Sequence, residues 1–554
     1  MKKLLTILLV FSLVFTVFIP AVSADERTPI IFIRGNGETL YDAEGNELVT
    51  GFDNVSIGDD SEGGATDAIV DAAVNILKPF VLEGMLFDKW DNYGRAIYEE
   101  LAPIFGDVGL DENGNPKNGT GVSKEALDNS VIASNEPYLY WGNSEYNFIY
   151  DWRLSPYDHV ERLHQYILNI MAATGQSQVS LYARCIGGSL LAAYIDEYGH
   201  LGHIKNVMFC EVLSNEATII SKAMSGKIEF DAKLAERYLG QLDFCGNLGV
   251  GVGFVFSELL NEIVFASMDY FTQINAADMA LDSIELLYER LYEALIPAIL
   301  HASGLATQVN FWTCVAEDDM DDALNLVFGK PGSELRVKYA GLIAKITRYR
   351  ENISSDLTAF YDKAKANGIH IGFVGKYGFL NAPFTEDADL LSDSLVSLEH
   401  ATMGATAAKI GQVLSDSYIN GRIAEDAENA KYISPDKMVD LSTAYSPETT
   451  WVIKNAHHDT FEPVRAIVFN FLNGTEMTVD TVTRGTQFMV YSYETGKLAT
   501  MTEENAVDYE FMDIPEENPT IKTIFAAFTR FWKMVFDMIK RIFSGNFDMG
   551  SLIG

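Results

Sequence analysis

The sequence predicts an α/β fold built on a mostly parallel central sheet, and three observations carry that expectation. Short apolar runs at residues 28–33, 147–150, 179–182 and 204–212 read as strands. Helical patterns separate the last three, and strand–helix–strand–helix–strand is the signature of parallel pairing. Finally, residues 179–194 (VSLYARCIGGSLLAAY) pass from strand to alanine-rich helix through an abrupt turn centred on Cys185.

Length and composition bound what hangs on that sheet. At 554 residues the chain exceeds one ordinary core, so large insertions or a second domain are expected. A hydrophobic content of 48% leaves ample material to bury. Residues 1–24 begin Lys2-Lys3, continue as an apolar run to Ile19 and end Ala-Val-Ser-Ala after Pro20. That is the pattern of a secretory signal peptide, with a retained anchor as its alternative. No later stretch offers the ~20 uncharged apolar residues of a membrane span, so an exported protein is expected. A formal net charge of −38 repels phosphate backbones and argues against nucleic acid. Four cysteines are too few for a disulfide scaffold. Cys185 is either a nucleophile or half of a bridge with Cys210, Cys245 or Cys314.

The turn at Cys185 has small residues, Ala183 and Gly187, two positions before and two after it. Close packing of strand against helix demands small residues there, as in the G-x-S-x-G nucleophile elbow. The segment resembles that elbow of the α/β-hydrolases, with a thiol in place of the hydroxyl.

Taken in order, the strand at 28–33 runs into Arg34-Gly35-Asn36-Gly37, whose glycines permit a sharp turn. In lipase-like α/β-hydrolases this turn supplies one oxyanion donor; the resemblance assigns it to the Asn36 N–H, beside that of Ile186. Residues 64–105 carry helical periodicity, and 111–121, rich in Asn and Gly, form a surface loop. The strand at 147–150 ends in Tyr150-Asp151-Trp152-Arg153-Leu154-Ser155-Pro156, followed by a helix over about 159–174. Those seven residues resemble the segment just upstream of the elbow in the lecithin:cholesterol acyltransferase-like lipases. From 214 to 367 the pattern is almost wholly helical, and in that fold an insertion after the sixth strand forms a cap or lid. Ordinary core helix is the alternative for any one stretch.

Strand character resumes at 369–378, and Ser392-Asp393-Ser394-Leu395-Val396 resembles the family's S-D-G-x-V segment, which holds the acid. After a last strand at 449–453, Lys454-Asn455-Ala456-His457-His458-Asp459 falls where the family places its histidine. The family spacing from the tryptophan favours His458 over His457. Residues 477–502 alternate around Glu494-Thr495-Gly496-Lys497, as a hairpin does. Residues 521–543 set Ile524, Phe528, Trp532, Val535 and Ile539 on one helical face among basic residues. A basic amphipathic helix on an acidic chain fits a membrane surface, or docks on the protein itself.

The expected organisation is therefore a leader (1–24), an α/β-hydrolase core in two parts (25–213 and 368–473), a helical cap (214–367), a small β-rich extension (474–515) and an amphipathic C-terminal helix (516–554). Cys185, Asp393 and His458 follow the nucleophile–acid–base order of the superfamily. A thiol beside an imidazole is activated by passing it a proton, and the acid fixes the tautomer. The expected activity is that of a secreted lipase or esterase, or acyltransferase, on a hydrophobic ester. The alternative is an inactive binding protein of the cell envelope that keeps the fold. No metal-ligand spacing, phosphate loop or dinucleotide fingerprint is present, so no cofactor is expected.

Overall fold

The computed structural model describes residues 27–35, 38–48, 90–131, 138–140, 143–212, 216–227, 296–381, 387–473 and 487–507. The sheet strands are β1 (Ile30–Ile33), β2 (Tyr138–Tyr140), β3 (Asn143–Phe148), β4 (Val179–Arg184), β5 (Ile204–Cys210), β6 (His370–Tyr377), β7 (Thr450–Lys454), β8 (Phe488–Ser492) and β9 (Lys497–Thr500). They form one nine-stranded sheet ordered β9-β8-β7-β6-β5-β4-β1-β3-β2. All neighbours pair in parallel except the two outer pairs, β2–β3 and β8–β9.

A parallel sheet needs cover on both faces, because each crossover lays a helix on one face or the other. The period of two sorts the strand residues accordingly. Ile31, Ile33, Leu181, Ala183, Val207 and Phe209 share a core with Leu163, Ile167, Leu190 and Leu191 of α1 (Val160–Thr174) and α2 (Gly187–Tyr198). Ile30, Phe32, Tyr182, Met208 and Val374 face the opposite way. They pack on Ile467, Val468 and Leu472 of α7, the helix Arg465–Asn473. α1 stops at Gly175, whose φ of +70° is the left-handed cap that glycine supplies without strain.

Between β5 and β6 the described elements are helical, among them α3 (Thr218–Ser225), α4 (Met320–Phe328), α5 (Ala340–Asn352) and α6 (Leu357–Ala366). A short helix at Val309–Cys314 sits over the elbow side of the sheet. Its Asn310 accepts from Ser189 Oγ of α2 at 2.5 Å and donates to the Trp152 carbonyl at 3.0 Å.

One strand and one hairpin differ from the reading of the sequence. The strand expected at 147–150 is β3, which starts earlier and ends at Phe148. Its first half, Asn143-Ser144-Glu145, is polar, so hydrophobicity alone passes over it. Glu145 is nonetheless buried, with Tyr182 Oη donating to its carboxylate and Arg465 3.6 Å away. The hairpin at 477–502 was expected in an extension beyond the sheet. Its two strands instead continue the sheet, β8 pairing in parallel with β7 through Val452–Phe488 and Lys454–Val490. An added strand satisfies the edge N–H and C=O groups of β7 that would otherwise stand open. The leader, the helical pattern at 64–89, Cys245 and the C-terminal helix lie outside the described residues. No helix among the described residues is long and apolar enough to cross a membrane.

The Tyr-Asp-Trp-Arg segment forms the loop after β3, organised by a buried ion pair. Arg153, fully buried, lies 2.7 Å from the Asp151 carboxylate. It also donates to the Val108 carbonyl, at 3.1 Å, and to Thr120, at 3.2 Å. Removing one partner strands the other charge in a dry site. Arg153→Met is therefore expected to cost about 3–5 kcal/mol of stability in a denaturant titration, and no loss would mean that the loop is not what this pair holds.

Candidate active site

The carboxyl ends of β1 and β4 mark the place where the strand order reverses. From β1 the chain leaves for β3 on one side and returns to β4 on the other. Crevices of open α/β sheets form at such switch points. Arg34-Gly35 and Cys185 both lie there.

Cys185 is the single residue between the end of β4 and the approach to α2, with φ of +55°. A non-glycine residue in this left-handed region is uncommon and strained. The turn is held by the Cys185 N–H, which donates to the Cys210 carbonyl at 3.3 Å. The side chain is 7% exposed. Among the described residues, no disulfide joins Cys185, Cys210 and Cys314.

Two glycines permit the crossing of chain segments around the sulfur. A Cβ on Gly187 would fall 2.6 Å from the carbonyl oxygens of Ile33 and Arg34. A Cβ on Gly35 would fall 2.8 Å from Cys185 Cβ and 3.3 Å from its Sγ. Backbone atoms cannot swing aside as a side-chain tip can. Gly187→Ala is expected to destabilise the protein by about 1–3 kcal/mol, through overpacking, in a thermal or denaturant melt. An unchanged midpoint would show that the elbow can open at no cost.

His458 Nδ1 donates to Asp393 Oδ2 at 2.8 Å, and the His458 N–H donates to the Asp393 carbonyl at 2.8 Å. Both side chains are almost fully buried. The other carboxylate oxygen of Asp393 accepts the N–H groups of Leu395, at 3.0 Å, and Val396, at 2.8 Å. Burial alone would raise the Asp393 carboxyl. The charge and hydrogen bond of His458, the charge of Lys376 and the Val396 N–H outweigh it and hold Asp393 below the usual carboxylate range. Where the family segment has glycine, Ser394 takes a φ of +86°. The serine keeps that strained position while its Oγ lies 2.6 Å from His457 Nε2.

Burial works against a charge on His458, but the Asp393 carboxylate, as charge and as hydrogen-bond partner, together with the negative charge Cys185 can carry, takes it up to about 10. Its Nε2 is buried, on the side away from Asp393. His457 is the opposite case. Its Nδ1 accepts the Asp459 N–H at 3.3 Å, leaving Nε2–H to donate to Ser394, and burial drives it down to about 4. Of the two histidines, His458 is hydrogen-bonded to Asp393 and His457 to Ser394.

The two imidazoles should titrate apart in a nitrogen-edited NMR series, with His458 protonated to about pH 10 and His457 neutral down to about pH 4. The linked stability has opposite signs. The His458 contribution is present in full below 6.5 and lost as pH rises through about 10. For His457 the unfolded chain takes the proton first, so stability falls as pH drops from 6.5 toward 4. Titration of both rings near 6.5 would contradict these environments.

Of the two expected oxyanion donors, Asn36 lies outside the described residues. The ends of its turn are described, however. Tyr150 Oη donates to the Arg34 carbonyl at 2.9 Å, and Trp152 Nε1 donates to the Glu38 carbonyl at 3.1 Å. Two aromatic side chains of the Tyr-Asp-Trp-Arg loop therefore tie down the turn on either side of residues 36 and 37. Ile186 precedes α2 with φ of −60° and ψ of −14°, and the first N–H groups of a helix have no acceptor within it.

Sequence reasoning passed over four charged groups here: Arg184, Glu211, Lys376 and Asp459. Their signal was present as charges at or just past the ends of apolar strands, where parallel sheets seldom bury them. Among the described residues, no group of three or more His, Cys, Asp or Glu side chains is arranged to hold a metal ion.

The strand order, the two-sided helical cover and the strained residue between β4 and α2 define an α/β-hydrolase fold. No family model matches the chain, and no curated protein matches it. Among solved structures the chain is similar to one described as the crystal structure of the Tle4–Tli4 complex, at 11% identity, over 64% of this chain and 75% of that one, with a TM-score of 0.26.

Proposed function

We propose that the chain is an ester-directed acyl hydrolase or acyltransferase of the lecithin:cholesterol acyltransferase-like kind, working through Cys185, His458 and Asp393. One observation carries the reading: a sulfur on a strained elbow that the Arg184 side chain ties to the loop of an imidazole whose Nδ1 is bonded, at 2.8 Å, to a buried carboxylate. Nucleophile, base and orienting acid are the constellation of covalent catalysis.

In this reading Cys185 Sγ passes its proton to His458, leaving a thiolate beside an imidazolium. The thiolate attacks the ester carbonyl, an S–C bond forms, and the carbonyl oxygen takes the negative charge. The Ile186 N–H is the donor proposed for that charge, and such a donor is worth about 3–4 kcal/mol. As the C–O bond breaks, His458 Nε2 gives its proton to the departing alkoxide. The neutral imidazole then takes a proton from water or an acceptor alcohol. Attack of that oxygen on the thioester breaks the C–S bond and restores the ion pair. Asp393 keeps Nδ1–H in place throughout.

A hydrophobic acyl substrate, export and contact with a membrane surface belong to the same proposal. They are supported by the lipase-like Tyr-Asp-Trp-Arg-Leu-Ser-Pro segment, the leader-like residues 1–24 and the basic amphipathic pattern at 521–543. The test is twofold. The Cys185 thiol should react with iodoacetamide well below pH 8, and the protein should turn over a short-chain p-nitrophenyl ester. A sluggish thiol with no turnover would sink the proposal and favour a binding protein that keeps the fold.

A further inference from the structure

The three central strands β4, β5 and β6 each end in a charge that points to one place. Lys376, on β6, is fully buried and donates to Glu211 Oε1 at 2.7 Å. Glu211, just past β5, is fully buried too and has φ of +38°, its N–H donating to the Val374 carbonyl at 2.9 Å. Arg184, the last residue of β4, pairs with Glu211 at 3.4 Å and with Asp459 at 3.0 Å. The guanidinium also lies 5.2 Å from the centre of the Phe461 ring.

Both cations converge on one backbone atom. The His458 carbonyl accepts from Lys376 Nζ at 3.0 Å and from Arg184 Nη2 at 2.5 Å, while Lys376 also reaches the His457 carbonyl at 3.5 Å. With the His458 N–H already committed to the Asp393 carbonyl, the backbone on both sides of the imidazole is fixed. Arg184 is the residue before Cys185, so the same side chain ties the elbow to the loop of the base.

We infer that Lys376, Glu211 and Arg184 are positioning residues that fix His458 against Cys185 through its backbone carbonyl. This rests on the catalytic reading above. Stability alone does not call for such a cluster. Well-packed apolar side chains serve as well as or better than a buried ion pair, but they cannot donate to that carbonyl, which Lys376 and Arg184 reach from the strands on either side of β5. Reactions depend steeply on such placement, and an error of about 1 Å costs on the order of 10²-fold in rate.

Three variants of the full chain separate positioning from stability. Lys376→Met strands the Glu211 carboxylate and should lower both the melting temperature and kcat. Lys376→Met with Glu211→Gln leaves no unpaired buried carboxylate and should recover most of the melting temperature. Its kcat on p-nitrophenyl butyrate should remain down about 10²-fold, with KM unchanged, and the acid limb of its iodoacetamide profile at Cys185 should move to higher pH. Arg184→Lys keeps the charge but loses the fork, and should move the same limb in the same direction. A double variant, or an Arg184→Lys variant, with wild-type kcat and a wild-type alkylation profile would overturn the inference. If the wild type turns over no ester, the catalytic reading fails by itself. The alkylation profiles then decide the positioning claim alone: a shifted limb supports it and an unchanged one overturns it.

Discussion

Cys185→Ala is expected to remove ester turnover, a loss on the order of 10⁶-fold in kcat if the thiolate is the nucleophile. The fold should survive. The side chain is small, sits at the rim of the sheet and bridges no other described cysteine. The strained φ of +55° belongs to the backbone, and alanine at that place bears the same conformational penalty. Melting temperature should therefore stay close to that of the wild type while activity vanishes. Retention of a substantial fraction of turnover would exclude Cys185 as the attacking group. Cys185→Ser is the companion experiment. A serine oxygen on the same elbow is a weaker nucleophile that needs a neutral imidazole to take its proton. Measurable esterase activity in that variant, rising with pH as His458 loses its charge, would show that the rest of the site accepts either atom.

The second large effect is Asp393→Asn, with an expected fall of about 10⁴-fold in kcat. The amide oxygen can still accept the N–H groups of Leu395 and Val396, so the turn that carries residue 393 is preserved. The other end of the side chain, however, becomes an NH₂ facing His458 Nδ1. It donates where the carboxylate accepted, which forces the ring proton onto Nε2 and disfavours the imidazolium. The NMR titration of His458 should drop well below about 10 in the same variant. A variant with unchanged melting temperature, unchanged His458 titration and unchanged kcat would remove Asp393 from the mechanism.

Much of this site was legible because its residues must be small, or unusual, for local reasons. Gly187 follows Cys185 because the Ile33 and Arg34 carbonyls lie where a Cβ would fall, and a sequence shows that requirement directly. Asp393 and His458 were found through their place after strands, and the resemblance chose between two adjacent histidines. The structure adds the reason, since His457 is occupied by Ser394 and the Asp459 N–H. What escaped notice depends on partners distant in sequence. Glu145 sits in a polar stretch that becomes a buried strand only through Tyr182 and Arg465. Lys376 and Glu211 read as lone charges until the sheet sets them 2.7 Å apart. The hairpin at β8–β9 was recognisable from its alternation and turn, but its partner strand was not, because pairing with β7 leaves no local trace.

The grip of Arg184 on the His458 carbonyl spans 274 positions. During synthesis Cys185 therefore leaves the ribosome long before His458. A shortened product ending before β7 would carry Cys185 without His458, and on the proposed reading it would hold the sulfur with no group to take its proton.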